Sequence, residues 1–112
     1  MAGPFVLDRA SILERLGGDE EIYSMMVDMF LSDVDSNCSA LASAFASGDA
    51  TVVQREAHTI KGLLATFSDD QGAAEALELE KKAKLGELDG LGDAVGVLQG
   101  RLREVAMALR AG

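Results

Sequence analysis

His58 is the only histidine in the chain, and the residues around it suit nucleophilic chemistry. Imidazole is a nucleophile whose unperturbed pKa lies near neutrality, so a reactive neutral form is available without special tuning. Lys61 follows at i+3 and Gly62 at i+4, so on a helix both share the face of His58. A phosphoryl group taken up by the ring would add about two negative charges. A lysine one turn away can offset them as a point cation. Glycine in mid-helix costs about 1 kcal/mol relative to alanine. Beside the sole histidine, that loss makes sense if another protein's active site must approach the ring closely. Other chemistries find less support. A single histidine, with no neighbouring cysteine and no E-x-x-H pair, offers too few ligands for a metal ion. A G-x-S-x-G elbow and a glycine-rich phosphate loop are both missing, which leaves a hydrolase or a nucleotide-binding kinase without sequence support.

The segment that must present these residues runs from Asp49 to Phe67. Val53, Ala57, Ile60, Leu64 and Phe67 recur at spacings of 4, 3, 4 and 3, which makes one apolar helical face. At about 100° per residue, His58 stands roughly 140° from the centre of that stripe, turned away from the core. Gln54, Lys61, Gly62 and Ala65 project within roughly 60° of it. A second candidate lies downstream. Glu80 falls among Ala73, Ala76, Leu77 and Ala83, the smooth apolar side of its own predicted helix. A carboxylate there needs a partner. It could accept a hydrogen bond from His58 and fix the ring's tautomer, or it could pair with Lys84 at i+4. The competing reading of the whole group is an exposed surface histidine beside a packing glycine.

The rest of the chain supports a helical scaffold. Its 112 residues suit one compact domain, and 48% hydrophobic content is enough for a core. With only 4% aromatics and no tryptophan, that core must come from Leu, Val, Ile, Met and Ala, which favours helix packing. Pro4 is the sole proline, so long helices can run unbroken. Apolar periodicity, punctuated by Gly17-Gly18, Gly48, Gly86 and Gly90, predicts a short helix at about 8–16 and longer ones at about 19–47, 50–67, 69–85 and 90–110. Asp49 is expected to cap the third, and Ser68 with Gln71 to form a capping box on the fourth. The last helix has a stripe of Leu91, Val95, Leu98, Leu102, Val105 and Leu109. It also carries Gly92, Gly96 and Gly100, read as close packing or tolerated loss of propensity. Short connections imply an all-α, up-down four-helix bundle with a short N-terminal helix. Residues 1–7 are expected to be a loose tail and residues 8–112 the domain. A formal charge of −9 excludes nucleic acid and anionic membranes as natural partners. Cys38 is alone, which fits a reducing cytoplasm, and neither a membrane span nor a secretory leader is expected.

The run A-H-T-I-K-G-L-L-A-T-F, Ala57 to Phe67, closely resembles the signature of the histidine-containing phosphotransfer (HPt) family. Leu79-Glu80, the Gly-Glu-Leu after it, the stretch from Leu16 to Ile22 and Met29-Phe30-Leu31 are also similar to that family. The resemblance implies a phosphoryl carrier, not an enzyme with its own ATP site, serving a two-component phosphorelay. His58 would be the phosphoacceptor, Lys61 would support the phosphoryl group, Gly62 would clear space, and Glu80 would lie near the imidazole. Partners would be response-regulator receiver domains, with a hybrid sensor kinase upstream. The aspartate and Mg²⁺ that drive transfer belong to the receiver, so no cofactor is expected, and a monomer is. Receivers of the family dock on an apolar patch of the first two helices, for which Ile12, Leu13 and Leu16 are candidates, with Gln54 and Ala65 beside the ring. One departure is Ser68-Asp69, where family members often have Gly-Ala, which implies a reshaped loop. The alternative is a helical docking or structural bundle without phosphotransfer.

Overall fold

The computed structural model describes residues 3–112, and these form five helices. They are α1 (Arg9–Arg15), α2 (Glu20–Ala46), α3 (Ala50–Thr66), α4 (Asp70–Lys84) and α5 (Gly92–Ala111). Helices α2, α3, α4 and α5 pack in a ring, each on the next and α5 back on α2, while the short α1 touches α2. The most extensive pairing is α3 with α4.

Local chemistry sets the boundaries. Asp8, Asp19, Asp49 and Asp69 stand at the N-caps of the first four helices, and each carboxylate accepts from the backbone N–H three residues on. At the other ends the chain reverses through a left-handed residue: Gly17, Gly48 and Gly86 after α1, α2 and α4. The capping box expected at Ser68 is corrected. Ser68 is itself the left-handed residue after α3, with φ 62°, and its N–H bonds back to the carbonyl of Ala65. Asp69 caps α4 in its place, accepting from the Gly72 N–H at 3.1 Å. Gln71 instead turns its amide oxygen to the Gly3 N–H at 2.6 Å. A serine thus adopts here the left-handed conformation that usually favours glycine. Arg15 steadies it by donating to the Ser68 hydroxyl and to the Thr66 carbonyl.

The core is aliphatic, as the composition requires. All five apolar residues of the α3 stripe and all six of the α5 stripe are buried. Phe30 of α2 meets Phe67 edge-on, with ring centroids 5.3 Å apart. The α5 glycines divide. A Cβ at Gly92 would reach ordinary contact with Phe45, whereas Gly96 and Gly100 face open space, so they are tolerated losses of propensity. The glycine that close packing demands is Gly72, where a Cβ would fall 2.1 Å from an Asp69 oxygen.

That aspartate is one half of a buried ion pair. Arg101 of α5 donates to both carboxylate oxygens of Asp69, at 2.5 and 2.7 Å, with only 7% and 2% of the two side chains exposed. The same guanidinium donates to the Gly3 carbonyl at 2.5 Å and lies over the Phe5 ring. Phe5 and Leu7 pack against the core, and the Phe5 N–H bonds Glu104. Residues 3–7 are thus held on the bundle, not loose as expected; residues 1–2 lie outside the described residues. Removing one partner of such a pair strands the other without water. Arg101→Met is expected to lower the unfolding free energy by about 3 kcal/mol. A urea titration checks this, and a loss under about 1 kcal/mol would show the pair to be solvent-relaxed.

Candidate functional site

His58 sits at mid-helix on α3 with 65% of its side chain exposed, while Ala57 and Ile60 beside it are fully buried. Helical periodicity alone separates them. Its ring is nevertheless fixed at one edge. Nδ1 lies 2.9 Å from Glu80 Oε2, and the other oxygen of Glu80 accepts from Lys61 Nζ at 3.0 Å. A carboxylate can only accept, so Nδ1 carries the proton and donates it. The lone pair then belongs to Nε2, at the far edge of the ring. One carboxylate therefore orients the ring and selects its tautomer.

The α3–α4 packing makes this geometry. Ala76, Leu79 and Ala83 are buried on α4, and Glu80 projects from the margin of that face with 17% of its side chain exposed. Burial pushes the Glu80 carboxyl up, but the hydrogen bonds from Lys61 and His58, with their charges, outweigh burial and hold it below its ordinary 4.5. Glu80 does not pair with Lys84. Lys61 is not free beside the ring either: its charge is engaged by Glu80.

Gly62 is exposed and a Cβ there would meet nothing within 4 Å. Ala65 is also exposed, so this side of His58 is low in relief. Gln54 lies on the other side. With Thr51, Arg55, His58 and Glu80 it lines an open hollow of about 340 Å³. Periodicity did not single out Arg55. The signal was present, because a position at i−3 shares the face of His58 as i+3 does.

The docking face expected on α1 needs correction at Ile12. Ile12 is 1% exposed and belongs to the core, and Leu13 and Leu16 are half-buried against it. A seven-residue helix has one apolar side, and α1 uses it to anchor itself. Exposed apolar side chains do occur on α2, where Ile22, Met25 and Met29 are 44%, 57% and 63% accessible; Val6, Leu85, Val97 and Met107 are exposed elsewhere on the chain. Met26 and Met29 share a shallow hollow with Leu63 and Thr66 of α3. Thr66 bonds the Gly62 carbonyl, so this surface adjoins the cleared side of His58.

The fold and site define a helical module that presents one oriented imidazole to solvent. Residues 25–111 match the family model described as the Hpt domain, and the chain belongs to that family. It is a histidine phosphotransfer module of the phosphorelay type. It is 29% identical to the phosphorelay protein LuxU in two strains of Vibrio vulnificus over 100 residues, which covers 88% of this chain and 84% of those proteins. The crystal structure of histidine-containing phosphotransfer protein B (HptB) from Pseudomonas aeruginosa superposes with a TM-score of 0.83 at 24% identity. That alignment covers 94% of this chain and 91% of HptB.

A depressed carboxylate pKa has a stability consequence whose sign is fixed. Glu80 titrates lower in the folded state than unfolded, so its ionised form stabilises the fold above pH 4.5, and that contribution is lost as pH falls through the folded value. Glu80→Gln is therefore expected to be less stable than the parent at pH 7, with the gap closing in acid. Paired unfolding curves at pH 7 and pH 3 test this, and a gap that widens in acid contradicts it.

Proposed function

We propose that His58 is the phosphoacceptor, and that the chain is a carrier exchanging its phosphoryl group with receiver-domain aspartates. The Glu80–His58 hydrogen bond carries this reading, because it leaves the Nε2 lone pair available and the Nδ1 proton in place. Nε2 attacks the phosphorus of a receiver's aspartyl phosphate. An N–P bond forms, the P–O bond to the aspartate breaks, and the aspartate leaves as a carboxylate. The ring becomes positively charged, and Glu80, already ionised and hydrogen-bonded to Nδ1, stabilises that charge as it develops. Return transfer reverses each step. Lys61 keeps Glu80 ionised and in position. Mg²⁺ and the acidic pocket come with the receiver, so this chain needs no ATP site and no cofactor of its own.

Several further features belong to the same reading. The ring of α2 to α5 is taken as an up-down four-helix bundle with α1 laid against it, and the chain as one domain. The module acts in the cytoplasm as a monomer. Receivers dock on the Ile22, Met25 and Met29 surface together with Gly62 and Ala65, and a hybrid sensor kinase supplies the phosphoryl group. Among the described residues no helix is long and apolar enough to cross a membrane.

The direct test mixes the protein with a phosphorylated receiver domain and Mg²⁺. Label should appear on this chain, lost in acid and kept in base. His58→Gln should remain helical, with stability changed by less than about 1 kcal/mol, because the ring contributes nothing to the core. It should take no label, since an amide nitrogen has no free lone pair and the chain has no second histidine. A folded His58→Gln that is still labelled would remove His58 as the acceptor.

Gly62 gives an independent check. Glutamine has room there and a better helix propensity, so Gly62→Gln should fold as well as the parent or gain up to about 1 kcal/mol. Phosphoryl transfer from the receiver should slow sharply, because a long side chain would stand in the approach path. Transfer at the parent rate would mean that the glycine is not there for clearance.

A further inference from the structure

The charges around His58 do not balance once it is phosphorylated. In the resting site Glu80 is neutralised by Lys61, 3.0 Å away. A phosphoryl group then brings roughly two negative charges, of which the positively charged ring offsets one. A dianion beside a carboxylate, on a chain of formal charge −9, calls for a cation that is not already engaged.

Arg55 meets that need. It lies one helical turn before His58 on the same face of α3 and is exposed. Its guanidinium forms no ion pair among the described residues, in contrast to Arg9, Lys61 and Arg101. It lines, with Thr51, Gln54, His58 and Glu80, the hollow beside the ring. Both oxygens of Glu80 are occupied, so that carboxylate does not compete for the arginine. A guanidinium presents a planar fork that matches two phosphoryl oxygens, which the ammonium of Lys61 does not.

We propose that Arg55 is the phosphoryl-binding cation of phosphorylated His58, while Lys61 acts through Glu80 as a positioning residue. This rests on His58 being the acceptor. The hollow receives the phosphoryl group on Nε2, with Arg55 on two of its oxygens.

The test separates binding of the phosphoryl group from docking by using phosphoramidate as donor. The Nε2–P bond forms, the P–N bond of phosphoramidate breaks, and ammonia leaves. The ³¹P resonance of the phosphohistidine is then followed through the second ionisation of the phosphoryl group. A bound arginine favours the dianion. In Arg55→Gln the proton should bind more tightly by about fivefold, the upper end for an exposed ion pair. Arg55→Lys should recover part of the difference. Arg103→Gln makes the same change in net charge on α5 and should leave the ionisation unmoved. Far-UV circular dichroism confirms that each variant is folded. An Arg55→Gln protein that is phosphorylated and titrates like the parent overturns the assignment, as does an equal shift in Arg103→Gln. If the parent itself gives no phosphohistidine signal, the acceptor reading falls and Arg55 falls with it.

Discussion

A carboxylate can steer an imidazole only if the helices that carry them stand about one side chain apart, and the α3–α4 pairing supplies that separation. The buried faces in this pairing include Ala57, Ile60 and Leu64 from α3 with Ala76, Leu79 and Ala83 from α4. Small residues on both helices allow a close approach. A larger side chain at Ala76 or Ala83 would push α4 outward and take Glu80 with it. Gly72 keeps α4 close at its other end, where its lack of a Cβ leaves room for Asp69 and Arg101. The distances at His58 thus depend on packing on the side of the helix that the ring does not touch.

The site divides its charges by burial. Glu80 is mostly buried and fully engaged, so it can hold the ring without being titrated away near neutrality. His58 is mostly exposed, so another protein can reach Nε2. An exposed imidazole with no partner would sample many orientations and both tautomers, whereas a buried one could not transfer anything. The structure anchors one edge of the ring and leaves the other free, which suits the acceptor role proposed for it.

The remaining elements keep α3 and α4 still. The Arg101–Asp69 pair joins the start of α4 to α5 and holds residues 3–7 across the bundle. Arg15 ties α1 to the turn between α3 and α4. These polar contacts fix positions. The larger driving force comes from the aliphatic core, since buried ion pairs give little net stability. By contrast, α2 leaves Ile22, Met25 and Met29 outside that core, and methionine is well suited to the docking role proposed for this surface.

The sequence alone determined the elements and the face that carries the chemistry. Periodicity of 3.6 put Val53, Ala57, Ile60, Leu64 and Phe67 inside and His58 outside, because on one helix the relative angle of two residues depends only on their spacing. Cap chemistry placed the breaks at Gly17, Gly48 and Gly86 for the same local reason. Local chemistry failed at Ser68, where a left-handed serine with a helper from α1 is as good a helix end as a glycine, and the capping duty moved to Asp69. Long-range questions needed the tertiary structure. Whether Glu80 met His58 or Lys84 depends on the height of α4 against α3, set by the sum of their packed side chains. Ile12 resembled a docking residue until it was seen to anchor α1 in the core. The strap of residues 3–7 depends on Arg101, nearly a hundred residues away in the chain. Spacing within a helix is fixed by the backbone, but the partners of a side chain across helices are fixed only when the core has closed.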